Sequence, residues 1–515
     1  MTNGADALAQ VLAQNGVDTC FANPGTTEMH MVQALTGRHG IKNHLCLFEG
    51  VASGAADGYA RMARRPAATL LHLGPGLANA LANLHNARKA STPVLNLVGE
   101  HALDHIAHNA PLTSDIATLA APMSKSVVTL TETSQIAAQT RQILTDMQTG
   151  TPGVGTLIVP NDVAWGQAAP GNVPPVDLPP LALPDDRTVE AAAKALKSDG
   201  AMLILGHPFI TARMQELAYA ICTATGATLM GEAATARTAR GAGLPNLPRI
   251  PFQIDAALAH LKDVRQAVLA GAKAPVAFFA YPERPSALLP PACTETTLCT
   301  ADDNLEGALE ALAEAVGAKP VKADPGQLPA APGEQAIDAE ILGAAVANAL
   351  PEGAIVIDES VTNGLYLYAN GGTSPVAHDW INNRGGSIGY SMPVAIGAAV
   401  ACPDRPVIVV TGDGSASYTP QSLWTMARSG LNITVVVLAN RRYKILANEM
   451  SKIGAGEPDE GSDPLLSLDQ PPIDWSALSK GYGVPATRVE TGAALMQQIR
   501  RAVAEPGPSL IEAVM

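Results

Sequence analysis

The sequence predicts an α/β protein of three domains, each built on a mostly parallel sheet. Three observations predict it. Apolar runs of strand length alternate with alanine-rich runs of helical period in three successive parts of the chain. Two Pro/Gly-rich stretches, AAPGNVPPVDLPPLALPDD and KADPGQLPAAPGEQ, separate those parts and cannot lie inside a helix or sheet. The length, 515 residues, exceeds what one ordinary core serves. Domains are therefore expected at 1–168, 188–325 and 338–515.

The first domain opens with an amphipathic helix over 5–14 and a short strand over 19–22. Strands follow at 69–73, 94–98 and 155–159, with helices at 51–63 and 78–89 between them. The second alternates MLILG, a helix, ATLMG and KAPVAFFAYP, which reads as a smaller α/β unit. The third has strands at 354–357, 407–411 and 433–438 and helices at 392–401 and 421–428.

Hydrophobic residues make up 47% of the chain and charged residues 16%, which excludes global disorder. Lys and Arg number 33 against 47 Asp and Glu, a net charge of −14. A general nucleic-acid binder needs the opposite balance. The six cysteines contain no C-x-x-C pair, so free, mostly buried thiols are expected. No basic-then-apolar leader opens the chain, and its apolar runs have strand length. The expectation is a cytoplasmic protein with no membrane partner.

The sharpest local signal is V-V-T-G-D-G-S over 409–415, where an apolar strand runs into Gly412-Asp413-Gly414. Asn440 lies 27 residues after Asp413, at the end of a second strand, V-V-V-L-A-N. Ligands collect at strand C-termini in a parallel sheet. A carboxylate and an amide oxygen at two such ends can hold a hard cation, which keeps phosphate oxygens and water as further ligands. The glycines let backbone approach a phosphate.

With these residues the chain resembles thiamine-diphosphate-dependent enzymes of the benzoylformate decarboxylase and acetolactate synthase type. The resemblance implies that Asp413 and Asn440 ligate Mg²⁺ through their side chains. The usual second asparagine is missing from Asn440-Arg441-Arg442-Tyr443, and the backbone carbonyl of Arg442 would be the third ligand. Gly412, Gly414, Ser415, Thr362 and Tyr443 would lie along the cofactor. In Asn383-Arg384-Gly385-Gly386-Ser387-Ile388, Gly386 would receive N4′ of the aminopyrimidine and Ile388 would prop the cofactor into its V-shape.

The first domain matches independently. The resemblance makes Glu49, in L-F-E-G, the carboxylate that bonds N1′ of the pyrimidine and so activates C2 of the thiazolium. A helix-capping role is the plainer alternative for Glu49. His72, before Gly74-Pro75-Gly76, would relay a proton or orient substrate, and Thr26 would contact substrate. Gly76 and Asn79 read as turn and packing residues. His85, His101, His105 and His108 form a loose cluster without metal spacing. Phe279 takes the place where benzoylformate decarboxylases carry a second histidine. That departure weakens simple benzoylformate-type decarboxylation and tilts the site towards carboligation.

The resemblance thus implies a lyase or transferase that decarboxylates a 2-oxo acid with protonation or carboligation of the product carbanion. It implies a homodimer, or a dimer of dimers, with sites at the interface. FAD stays open and is not predicted. A non-catalytic cofactor-binding homologue and a nicotinamide dehydrogenase are the competing classes. The latter lacks G-x-G-x-x-G at the first strand.

Overall fold

A computed structural model of the chain describes residues 2–36 and 39–515. It is a three-sheet α/β architecture. The first sheet has six parallel strands, in the order Lys42–Leu45, Thr19–Asn23, Ala67–Leu71, Val94–Glu100, Gly155–Pro160 and Ser126–Thr129. The middle sheet has four parallel strands, Thr294–Cys299, Gln266–Ala270, Ala201–Leu205 and Thr228–Gly231. The third has eight. Six of them run parallel: Ala486–Val489, Ser509–Val514, Ile433–Ala439, Val407–Gly412, Ile355–Glu359 and His378–Asn382.

The remaining two strands of the third sheet come from the middle of the chain. Arg237–Arg240 pairs antiparallel with His378–Asn382, and Phe209–Ile210 extends the edge beyond it. The central part of the chain is thereby hydrogen-bonded into the C-terminal sheet. The stretch KAPVAFFAYP forms no strand and makes one isolated bridge, Val276 to Ala287. Pro275 and Pro282 remove ladder donors there. Gln266–Ala270 and Thr294–Cys299 occupy the sheet positions instead.

A second departure from expectation lies after the third N-terminal strand. That strand stops at Leu71, and His72 is already the N-cap of helix Leu73–Lys89. Gly74-Pro75-Gly76 sits inside the first helical turn. A proline is tolerated there because that N–H has no intrahelical acceptor.

Helices Glu49–Ala63 and Ser391–Ala401 bind the first and third domains together. A Cβ on Gly58 would stand 2.0 Å from the Val394 carbonyl oxygen, and one on Gly397 would stand 1.8 Å from that of Ala55. Only glycine allows such backbone approach. One continuous core results, joining Tyr59 and Leu84 to Ile357, Tyr390 and Val435. Beside it, Arg61 forms a bidentate pair with Asp57 at 2.8 and 2.5 Å and donates to the carbonyls of Ala236 and Asn382. Both side chains are almost wholly buried. Arg237 pairs with Asp379 at 2.8 Å and donates to the carbonyls of Arg61 and Met62.

His378 gives this core a pH dependence. The ring is buried, and its Nδ1 lies 3.0 Å from the Val376 carbonyl. Burial pushes the imidazole down to about 4, with Arg240 acting in the same direction. The unfolded chain takes up this proton near 6.5 and the folded chain does not. Stability should therefore fall as pH drops from about 6.5 towards about 4, by up to about 3 kcal/mol from this group. Urea unfolding of wild type and His378→Gln across that range checks it. The loss specific to His378 should vanish in the variant.

Candidate active site

The C-terminal ends of the first sheet bring together His72, Glu28 and the loop after Thr19–Asn23. His72 Nδ1 lies 2.8 Å from Glu28 Oε2. Glu28 is fully buried, and its carboxylate also accepts from the Gly25 N–H at 2.7 Å and the Thr27 hydroxyl at 2.5 Å. A Cβ on Gly99 would meet Glu28 Oε1 at 1.8 Å, so Gly99 makes the room this acid occupies. The sequence assigns Glu28 no role of its own, although it ends the segment N-P-G-T-T-E over 23–28. The Thr27 hydroxyl is 3.4 Å from His72 Nδ1, whereas Thr26 is exposed and its hydroxyl makes no hydrogen bond among the described residues.

Glu49 is the first residue of its helix, but its carboxylate does not cap that helix. Oε2 accepts from Asn79 Nδ2 at 3.0 Å, and a Cβ on Gly76 would stand 3.0 Å from Oε1. Asn79 and Gly76 therefore shape the surroundings of Glu49, beyond the turn and packing roles expected of them. His85 leaves the loose histidine cluster: its Nε2 lies 3.0 Å from the Gly385 carbonyl. His101, His105 and His108 stand in a row, with ring centroids 5.2 and 5.8 Å apart.

The third sheet ends in the oxygen-rich group. Asp413 is buried at the start of a one-turn helix, Asp413–Ala416. Its carboxylate accepts from the Gly414 N–H at 2.9 Å and the Arg441 N–H at 2.6 Å. Burial pushes its carboxyl above the usual range, and those N–H groups oppose the shift. Asn440 Oδ1 accepts from the Arg442 N–H at 3.1 Å. Arg441 has φ +55°, a left-handed bend that turns the chain at this point.

The next backbone carbonyl, of Arg442, accepts no hydrogen bond among the described residues. Asp413, Asn440 and this carbonyl are three hard oxygen donors on adjacent strand ends, which suits Mg²⁺. The Arg442 side chain points to Asp463, and that of Arg441 pairs with Asp469 at 3.2 Å. Both guanidiniums are thus engaged elsewhere. Tyr443 packs over Gly414, where a Cβ would stand 2.5 Å from its ring. Ser415 is buried beside them, a Cβ on Gly412 would stand 4.0 Å from Ser415 Oγ, and Thr362 is half-buried in the turn Val361–Gly364.

The loop after His378–Asn382 is held from several sides. Asn383 Oδ1 accepts from the N–H groups of Gly385 and Gly386, Asn86 bonds both backbone groups of Ser387, and Arg384 pairs with Glu232 at 2.6 Å. Between these anchors the Gly386 carbonyl and the Ile388 N–H have no partner among the described residues. An acceptor and a donor two residues apart match the exocyclic amine and ring nitrogen of an aminopyrimidine. Phe278 packs against Gly386, at 2.7 Å from where a Cβ would stand. Phe279 and Phe252 extend this partly exposed aromatic group, with centroids 4.9 and 5.0 Å from Phe278. The ring nearest the loop is therefore Phe278, with Phe279 behind it.

The donors fit a metal-bound, diphosphate-carrying aminopyrimidine cofactor, and comparison with known proteins agrees. The N-terminal and C-terminal TPP-binding domains of thiamine pyrophosphate enzymes match residues 2–119 and 371–513. The chain is 43% identical over its whole length, and over 99% of the relative, to IlvX of Mycobacterium tuberculosis, named as a candidate acetolactate synthase large subunit. It is 27% identical to a benzoylformate decarboxylase of Pseudomonas aeruginosa, covering 98% of this chain and 97% of that one. The solved thiamine diphosphate-dependent 4-hydroxybenzoylformate decarboxylase of Rhodococcus jostii RHA1 shares the fold, with TM-score 0.85 at 23% identity. That match covers 100% of this chain and 99% of the other.

The chain belongs to the thiamine pyrophosphate enzyme family. It is a thiamine-diphosphate- and Mg²⁺-dependent enzyme of the 2-oxo acid decarboxylase or carboligase class. No helix among the described residues is long and apolar enough to cross a membrane.

The two ends of the site separate by mutation. Asp413→Ala should abolish Mg²⁺-dependent binding of thiamine diphosphate, read by fluorescence titration. Glu49→Gln should leave binding within about threefold and slow C2–H exchange of the bound cofactor by about a hundredfold or more, read by NMR after acid quench.

Proposed function

We propose that this enzyme decarboxylates an apolar 2-oxo acid and passes the resulting carbanion to a second carbonyl compound. One observation carries this reading. The wall beside the Gly386 loop is made of Phe278, Phe279 and Phe252, rings with no proton to give. An aromatic wall takes up an apolar side chain and leaves a carbanion unquenched on that face. The 43% identity to a protein named for acetolactate synthesis supports it.

Bound thiamine diphosphate supplies the electron sink for loss of CO₂. Asp413, Asn440 and the Arg442 carbonyl hold its metal, and Gly386 and Ile388 orient its pyrimidine. Glu49, steadied by Asn79, holds the proton at pyrimidine N1′. Glu28 takes up Nδ1 of His72, leaving Nε2 to face the substrate and exchange a proton there. This last arrangement favours a second reading, decarboxylation ending in protonation.

The test is product analysis of the Mg²⁺-loaded holoenzyme with a panel of 2-oxo acids, with and without aldehyde or oxo-acid acceptors. A hydroxyketone as the main product is expected. Free aldehyde as the main product in the presence of acceptor would favour the second reading.

We also propose that the site is completed by a second copy of the chain. Among the described residues, no hydrogen bond joins Glu49 or His72 to Asp413 or Asn440 within one chain. Apolar side chains stand exposed near both ends, including Leu47, Leu365, Tyr418 and Leu446. Burial of such surface drives association. Mixing Glu49→Gln and Asp413→Ala chains should then restore activity, because a mixed dimer contains one site with both residues intact. No recovery from verified mixed dimers would contradict shared sites.

A further inference from the structure

We propose that Glu359 is a positioning residue that fixes the pyrimidine-receiving loop relative to the strand delivering Asp413. The proposal rests on the loop assignment above. Glu359 ends strand Ile355–Glu359 and is buried, yet it touches none of the proposed metal ligands. Its carboxylate collects five donors. Oε1 accepts from the N–H groups of Gly389 at 2.8 Å and Tyr390 at 3.3 Å. Oε2 accepts from the Ser391 N–H at 3.1 Å, the Ser391 hydroxyl at 2.5 Å and the Thr411 hydroxyl at 3.4 Å.

These donors come from two places that must keep register. Gly389, Tyr390 and Ser391 close the loop that presents the Gly386 carbonyl and the Ile388 N–H, and they open helix Ser391–Ala401. Thr411 stands two residues before Asp413 on the adjacent strand. A single carboxylate therefore joins the pyrimidine end of the cofactor site to its diphosphate end. The loop needs such a tie, because Gly386 and Gly389 both have positive φ, +80° and +86°, and carry no side chain to hold them. Burial of a carboxylate is costly unless its oxygens are hydrogen-bonded, and here they are.

Glu359→Gln exchanges one acceptor oxygen for an NH₂ group that faces N–H or O–H donors. Full-length protein is titrated in Mg²⁺ with thiamine diphosphate and, separately, with inorganic diphosphate. The variant should bind thiamine diphosphate about tenfold more weakly, while inorganic diphosphate changes by less than about twofold. Ser391→Ala, which removes one donor and leaves the carboxylate, should show the same selective loss at about threefold.

A merely structural role would weaken both ligands together, and that result, or wild-type binding of both, would overturn the proposal. If Glu359→Gln does not fold, Ser391→Ala decides, and the absence of a selective loss there overturns it equally. Wild-type protein that prefers thiamine diphosphate no more than inorganic diphosphate would overturn the loop assignment itself, and the proposal with it. That outcome is distinguishable because it needs no variant.

Discussion

The buried guanidinium of Arg61 is the constraint on which the architecture depends. It leaves a helix of the first domain, is neutralised by Asp57 one turn earlier, and donates to carbonyls of Ala236 in the middle of the chain and Asn382 in the C-terminal sheet. A charge this deep is stable only with its hydrogen bonds complete. All three parts of the chain must therefore close on it together. Arg237 repeats the device from the other side, through Asp379 and the carbonyls at the end of the same helix. Asn382 leads directly into the Gly386 loop, so the junction that assembles the domains also sets the start of the proposed cofactor site.

Much of the fold was legible in sequence because its signals are local. The runs before Gly412 and Asn440 are strands since nearly every residue is β-branched or apolar, as fully buried parallel strands require. The proline stretches were equally plain. What failed was non-local. Arg237–Arg240 is short and half charged, with nothing to announce that it would join another domain's sheet. KAPVAFFAYP looked like a strand because it is apolar, yet its phenylalanines stand partly exposed near the proposed site. Hydrophobicity alone cannot separate a core strand from a pocket wall.

The residues of the candidate site divide in the same way. Asp413, Asn440, Gly386, Glu49 and His72 lie in recognisable motifs. The groups that orient them do not, because orientation depends on contacts between distant segments. Glu28 reaches His72 across 44 residues, Asn79 reaches Glu49 across 30, and Glu232 reaches Arg384 across 152. Each is a polar side chain whose distant partner its own stretch does not announce. Each gains a role only when strand ends are brought together at one edge of a parallel sheet.

Charge at the diphosphate end shows what that edge must provide. The chain carries −14 overall, and two arginines follow Asn440 directly. Both are turned aside, Arg441 to Asp469 and Arg442 to Asp463. Asp413 is a further acidic group in a buried place, and burial pushes its carboxyl above the ordinary range. A diphosphate added to that arrangement without a metal would meet uncompensated repulsion. A divalent ion held by Asp413, Asn440 and the Arg442 carbonyl would supply the missing positive charge there. On that reading, the aspartates that engage Arg441 and Arg442 leave the metal to supply the counter-charge for a bound diphosphate.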